Sequence, residues 1–125
     1  MAYDIQNIQA WKRAYQFVLM VYRVTKNFPD FEKYGLSSQF QRAAVSIIAN
    51  IAEGSRRMTK ADKLHFMHIA QGSLEECRCY LFLSKDLSYI SLVEYDAMTQ
   101  CINDSSRLLN AFTKGIENHD FSQKI

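Results

Sequence analysis

The side chains with most chemical potential gather in one basic loop and on two helical faces. Residues 56 to 68 hold Arg56, Arg57, Lys60 and Lys63 against Asp62 alone, with His65 and His68 beside them. Four local cations cannot belong to a core, so they read either as a solvated helix start or as a patch that contacts phosphate. His65 and His68 stand at i and i+3 with Asp62 one turn earlier, so one helix face could offer three metal ligands. A metal-binding bundle also needs ligands from other helices, such as a Glu-x-x-His on each of two. No such motif occurs, and the pair reads as solvated or partner-facing, with no metal expected. Glu75 and Glu76 could serve acid–base work, but no spacing identifies a second tuned group. Ser46 and Ser73 lack a Gly-x-Ser-x-Gly setting, the cysteines lack a clear His partner, and there is no glycine-rich phosphate loop. A non-enzymatic protein without cofactors is expected.

A more orderly pattern lies upstream, where Gln39, Arg42, Ser46, Asn50 and Glu53 recur at spacings of three, four, four and three. On an α-helix all five share one face. In one reading they join Ser73 and Glu76 of the next helix in a hydrogen-bonded seam that sets helix register. A buried polar group without a partner costs about 1–3 kcal/mol, so such a seam is selective. In the other reading they line a groove that takes a ligand. The register-setting seam is the favoured reading.

Those faces need long helices. Four glycines and the single Pro29 leave few breakers in 125 residues. The first helix is expected over about 8–27, with Ile8, Trp11, Tyr15, Val18 and Tyr22 as one stripe. Ala14, Phe17, Val21, Val24 and Phe28 form a second stripe beside it. Together they are wider than one core needs, which points to a second subunit or to a helix wedged among its own neighbours. A connector follows, with Phe31 and Tyr34 expected against the core. The second helix is expected over 38–53, begun by a Ser38–Gln41 capping box and ended by Gly54 in a left-handed conformation.

Thr59 is expected to cap a third helix over 60–87, in which Gly72 implies close packing. Ser91 and Glu94 form a capping box for a fourth over 91–116, frayed near Gly115. The tail, 118–125, is polar, with Phe121 and Ile125 as possible docking points. The fold class expected is all-α, a single antiparallel up-down-up-down four-helix bundle over 1–125.

The net charge of +2 is too small to imply nucleic-acid binding by itself. Acids outweigh bases from 91 to 118, so the last helix reads as mildly acidic. Cys77, Cys79 and Cys101 are odd in number without a CxxC, and read as reduced thiols, buried or nearly so. The amino terminus lacks a secretory pattern and no apolar run approaches 18 residues, so a cytoplasmic protein with no membrane partner is expected.

The stretch RAAVSIIANIAEGSRR, followed by FMHIAQGSLEE, closely resembles the bacterial four-helix bundle proteins encoded within intervening sequences of 23S ribosomal RNA genes. Trp11 with Ala14, and Phe28-Pro29, extend the likeness over nearly the whole chain. Gln39, Arg42, Ser46, Asn50, Glu53, Gly54, Arg57, Ser73 and Glu76 carry it. The departures are Ile48, where members often have proline, and Cys77, where leucine is usual. The resemblance implies an antiparallel bundle that assembles into a ring-like homopentamer. A distant relative is the accessory protein of diversity-generating retroelements, which binds nucleic acid and a reverse transcriptase. That similarity makes RNA or DNA association the leading expectation, through Arg56, Arg57, Lys60 and Lys63. A scaffold for a protein partner, without nucleic acid, is the alternative. The resemblance brings no catalytic residue.

Overall fold

The computed structural model describes residues 4–119, and four helices take up most of them: α1 Gln9–Thr25, α2 Leu36–Ser55, α3 Lys60–Asp86 and α4 Leu92–Asn118. Short 3-10 turns, Ile5–Asn7 and Asp30–Glu32, precede α1 and α2. Each helix packs on its neighbours in sequence, and α1 closes against α4. Side-chain bonds give the directions. Lys63 at the start of α3 donates to the Ser55 carbonyl at the end of α2, while Tyr80 far along α3 donates to Gln39 near the start of α2. Lys60 with Glu117 and Arg78 with Asn103 show the same opposition between α3 and α4. The fold is an all-α, antiparallel up-down-up-down four-helix bundle, with no strand among the described residues.

The helical periods expected from the sequence meet in one core. Phe17 and Val21 of α1, Phe40 and Ile47 of α2, Met67 and Leu74 of α3, and Met98 and Leu109 of α4 are fully buried. The Thr59 hydroxyl accepts from the Asp62 amide, and Ser91 and Glu94 form a reciprocal capping box, so α3 and α4 start where local chemistry starts them. Between them, Ser88 adopts φ 62°, with Ser88 N–H bonded to Lys85 O and Tyr89 N–H to Ser84 O. That pair of bonds is a Schellman ending, made here without glycine.

Several local expectations are corrected. Helix α2 begins at Leu36 rather than Ser38, because the cap comes from outside: Glu32 Oε1 accepts from the Leu36 amide at 3.0 Å. The other oxygen of that carboxylate accepts from Tyr89 Oη at 2.9 Å, tying the start of α2 to the α3–α4 turn. Phe31 and Tyr34 are not pinned to the core; they are 78% and 87% exposed. Gly54 does not end α2 in a left-handed turn, since no described glycine has positive φ and the helix continues to Ser55. Gly54 is instead where α3 comes closest: a Cβ there would lie 2.8 Å from Phe66 Cβ and 3.2 Å from Lys63 O. Gly72 has no such neighbour within 4 Å, so close packing does not explain it. Helix α4 continues past Gly115 to Asn118. Cys77 and Cys101 are buried, but Cys79 is exposed. Phe121 and Ile125 lie outside the described residues.

Candidate functional site

The polar line on α2 faces α3, and the structure divides it. At its centre Ser46 Oγ and Ser73 Oγ lie 2.8 Å apart, and Asn50 Nδ2 donates to Ser46 Oγ at 3.0 Å and to Ser46 O at 2.8 Å. Ser73 is buried, so this cluster is the part of the line that can set register between α2 and α3. The rest looks elsewhere. Gln39 Oε1 accepts from Tyr80 Oη at 3.2 Å, and Glu53 pairs with Arg57 within α2's last turn and the residues after it. Arg42 and Glu76 are exposed and stand over an open groove of about 540 Å³ between the two helices. Tyr34, Ser38, Gln39, Ala43 and the two serines complete its lining.

The basic loop is less uniform than its composition. Lys63 is only 8% exposed, contrary to the expectation that none of the four cations can belong to the core. Its ammonium donates to Ser55 O at 3.1 Å, at the negative end of the α2 dipole, while its stem is covered by packing. Lys60 donates to Glu117 O at 2.8 Å. Arg57 pairs with Glu53 and lies over the Phe66 ring, 4.7 Å from its centroid. Arg56 is exposed. Two arginines therefore stay at the surface of the α2–α3 corner, and two lysines stitch helix ends together.

Sequence reasoning missed a second cationic surface. Arg78 of α3 and Arg107 and Lys114 of α4 line a groove of about 490 Å³ with Asn103, Ser106 and Asn110. Arg107 and Arg13 share one carboxylate, Asp104, whose acidity is strengthened chiefly by the hydrogen bond from Arg13. The 103, 107, 110, 114 spacing was legible as a stripe, but α4 was read by its total charge. Its acids lie mostly toward its two ends, and Arg78 comes from another helix.

His65 and His68 are both exposed, and among the described residues no group of three or more His, Cys, Asp or Glu side chains converges. Burial and the neighbouring Glu76 charge push the Cys77 thiol well above its usual range, so it is no nucleophile. Among the described residues no helix is long and apolar enough to cross a membrane.

The family described as 23S rRNA-intervening sequence protein matches this chain over residues 6–111, from before α1 to near the end of α4. The chain belongs to the 23S rRNA-intervening sequence protein family. A crystal structure from Bacteroides thetaiotaomicron, of a protein of unknown function from the S23 ribosomal protein family, is similar to it. That likeness has 23% identity and a TM-score of 0.77, and covers 84% of this chain and 98% of the other. At that identity the likeness establishes the bundle as shared. A comparison with curated proteins finds no match.

Proposed function

We propose that this intervening-sequence protein is non-enzymatic and works as a homo-oligomer assembled through the outer face of α1. The observation that carries the reading is the fate of the wide apolar surface of α1. Its inner stripe, Ala14, Phe17, Val21 and Val24, is buried in the core, whereas Tyr15 and Tyr22 remain 42% and 44% exposed, with Leu19 between them. Trp11 stacks on Tyr15 at 4.9 Å between ring centroids, giving a preformed aromatic surface of the kind that anchors interfaces. A second apolar surface, Phe82, Leu83, Leu87, Leu92 and Val93, lies at the α3–α4 end. Two different patches on one chain favour head-to-tail contacts that close into a ring, in keeping with the homopentamer the family resemblance implies. Light scattering is expected to give a mass about five times the 14.5 kDa chain. The double variant Tyr15→Glu, Tyr22→Glu is expected to run as the single chain with its helicity intact. A wild-type protein that is monomeric at micromolar concentration sinks the proposal.

A second reading, that the assembly associates with RNA or DNA, is favoured by the placement of Arg56 and Arg57 at the α2–α3 corner and of Arg78, Arg107 and Lys114 in the α3–α4 groove. Neutralised phosphates release counterions, so binding to a single-stranded RNA should weaken steeply as salt rises. Arg56→Glu with Arg57→Glu, or Arg107→Glu with Lys114→Glu, is expected to lower affinity about tenfold or more and to flatten the salt slope by about one unit per lost phosphate contact. Fluorescence anisotropy reads both. Absence of RNA and DNA binding at low salt removes this reading and leaves a scaffold for a protein partner, which a pull-down after nuclease treatment would recover.

A further inference from the structure

We infer that the groove between α2 and α3 is a binding site for a small ligand that carries both an oxyanion and a protonated amine. The groove, about 540 Å³, is of the size that holds a metabolite, and its lining is predominantly polar. Its two charges have opposite sign and do not neutralise each other: among the described residues Arg42 and Glu76 form no ion pair. Arg42 makes no hydrogen bond among the described residues, so its guanidinium fork is open to a carboxylate or phosphate.

The floor adds donors on the same side of the argument. Gln39 uses its carbonyl oxygen to accept from Tyr80, which leaves its amide N–H groups for a guest. Ser46 and Ser73 share one hydroxyl proton across 2.8 Å while Asn50 donates into Ser46, so the pair retains one proton to give. Guanidinium, amide and hydroxyl donors line the one groove, a set suited to an oxyanion, and the exposed Glu76 carboxylate, beside the Tyr80 hydroxyl, matches an ammonium group. The exposed ring of Tyr34 forms an adjoining wall, suited to the ligand's apolar or cationic part. Free α-amino acids and phosphoethanolamine share this chemistry. The site does not depend on oligomerisation or on nucleic acid.

Isothermal titration calorimetry of the whole protein tests it, with the common amino acids, phosphoethanolamine and inorganic phosphate each raised to about 10 mM, beyond the millimolar range a shallow site reaches. At least one amine-bearing oxyanion is expected to bind saturably. Amino-acid and phosphoethanolamine arms then show whether the oxyanion is carboxylate or phosphate. Arg42→Gln and Glu76→Gln are each expected to weaken binding about tenfold, one charge-assisted hydrogen bond being worth about that factor, while Arg107→Gln leaves it unchanged. Both groove positions are exposed, and circular dichroism confirms that the variants fold. No saturable heat with any probe, phosphate binding as tightly as phosphoethanolamine, or affinity indifferent to both variants overturns the inference.

Discussion

Truncating Phe40 to alanine is expected to remove about 3–5 kcal/mol of folding stability, the range for a large aromatic lost from a packed core. Phe40 is 0% exposed, and its ring lies 6.2 Å from that of Phe17 and 5.9 Å from that of Tyr80, joining α1, α2 and α3. Alanine leaves a cavity between three helices that pack on one another and cannot all collapse into it. Against a total stability of about 5–15 kcal/mol, the loss is about a fifth or more of what holds the fold. Denaturant titration should show a much lower midpoint with an unchanged slope. Phe31→Ala is the control, because that ring is already in solvent and its removal should change stability by about 0.5 kcal/mol or less. Equal losses at the two positions would contradict this account of the core.

Two helical glycines are expected to respond with opposite signs. Gly54→Val drives a branched side chain toward Phe66 Cβ and the Lys63 carbonyl, both tied to the α3 backbone, so α3 must shift; Met67 Cε, at 2.6 Å, can swing aside. Overpacking of this kind costs about 1–3 kcal/mol. It should lower the melting temperature by roughly 4 °C for each kcal/mol in a domain of this size. The shift also pulls the Lys63 ammonium from Ser55 O, so loss at the α2 end accompanies the clash. Gly72→Ala meets nothing within 4 Å and should raise stability by up to about 1 kcal/mol through helix propensity. Calorimetric melting of the two variants decides the matter, and a shared direction of change would refute the distinction.

The fold was legible where its causes are local. The Thr59 cap, the Ser91–Glu94 box and the apolar period of α4 need only a few adjacent residues to speak for them. The start of α2 was misplaced because its cap is the Glu32 side chain, itself held by Tyr89 from 57 residues away. Gly54 and Gly72 look alike in sequence, and only the approach of α3 separates them. Lys63 was read by its charge, although a long stem lets a buried lysine deliver that charge to a helix end. For the candidate site, the helical spacing put Arg42 and Ser46 on one face. It could not say that the centre of that face closes on Ser73 while its rim stays open, because that depends on how far α3 lies from α2 at each turn.

The pairing of α1 with α4 bears on the order in which the chain comes together. Ser46 and Ser73, across α2 and α3, are 27 residues apart, whereas Arg13 and Asp104, across α1 and α4, are 91 apart. Loop closure grows so slowly with length that this difference adds only about 1 kcal/mol of entropy. The contacts between successive helices therefore set a fast folding rate, in the microsecond-to-millisecond class of helical bundles. On the ribosome the penalty falls differently. Of the four helices α1 emerges before the others, yet the surface it presents to α4 stays uncovered until α4 has been made, and its outer tyrosines remain exposed even then. Of these four helices the earliest synthesised waits longest for its last partner, and it is the one whose aromatic faces a nascent chain must keep apart from those of its neighbours.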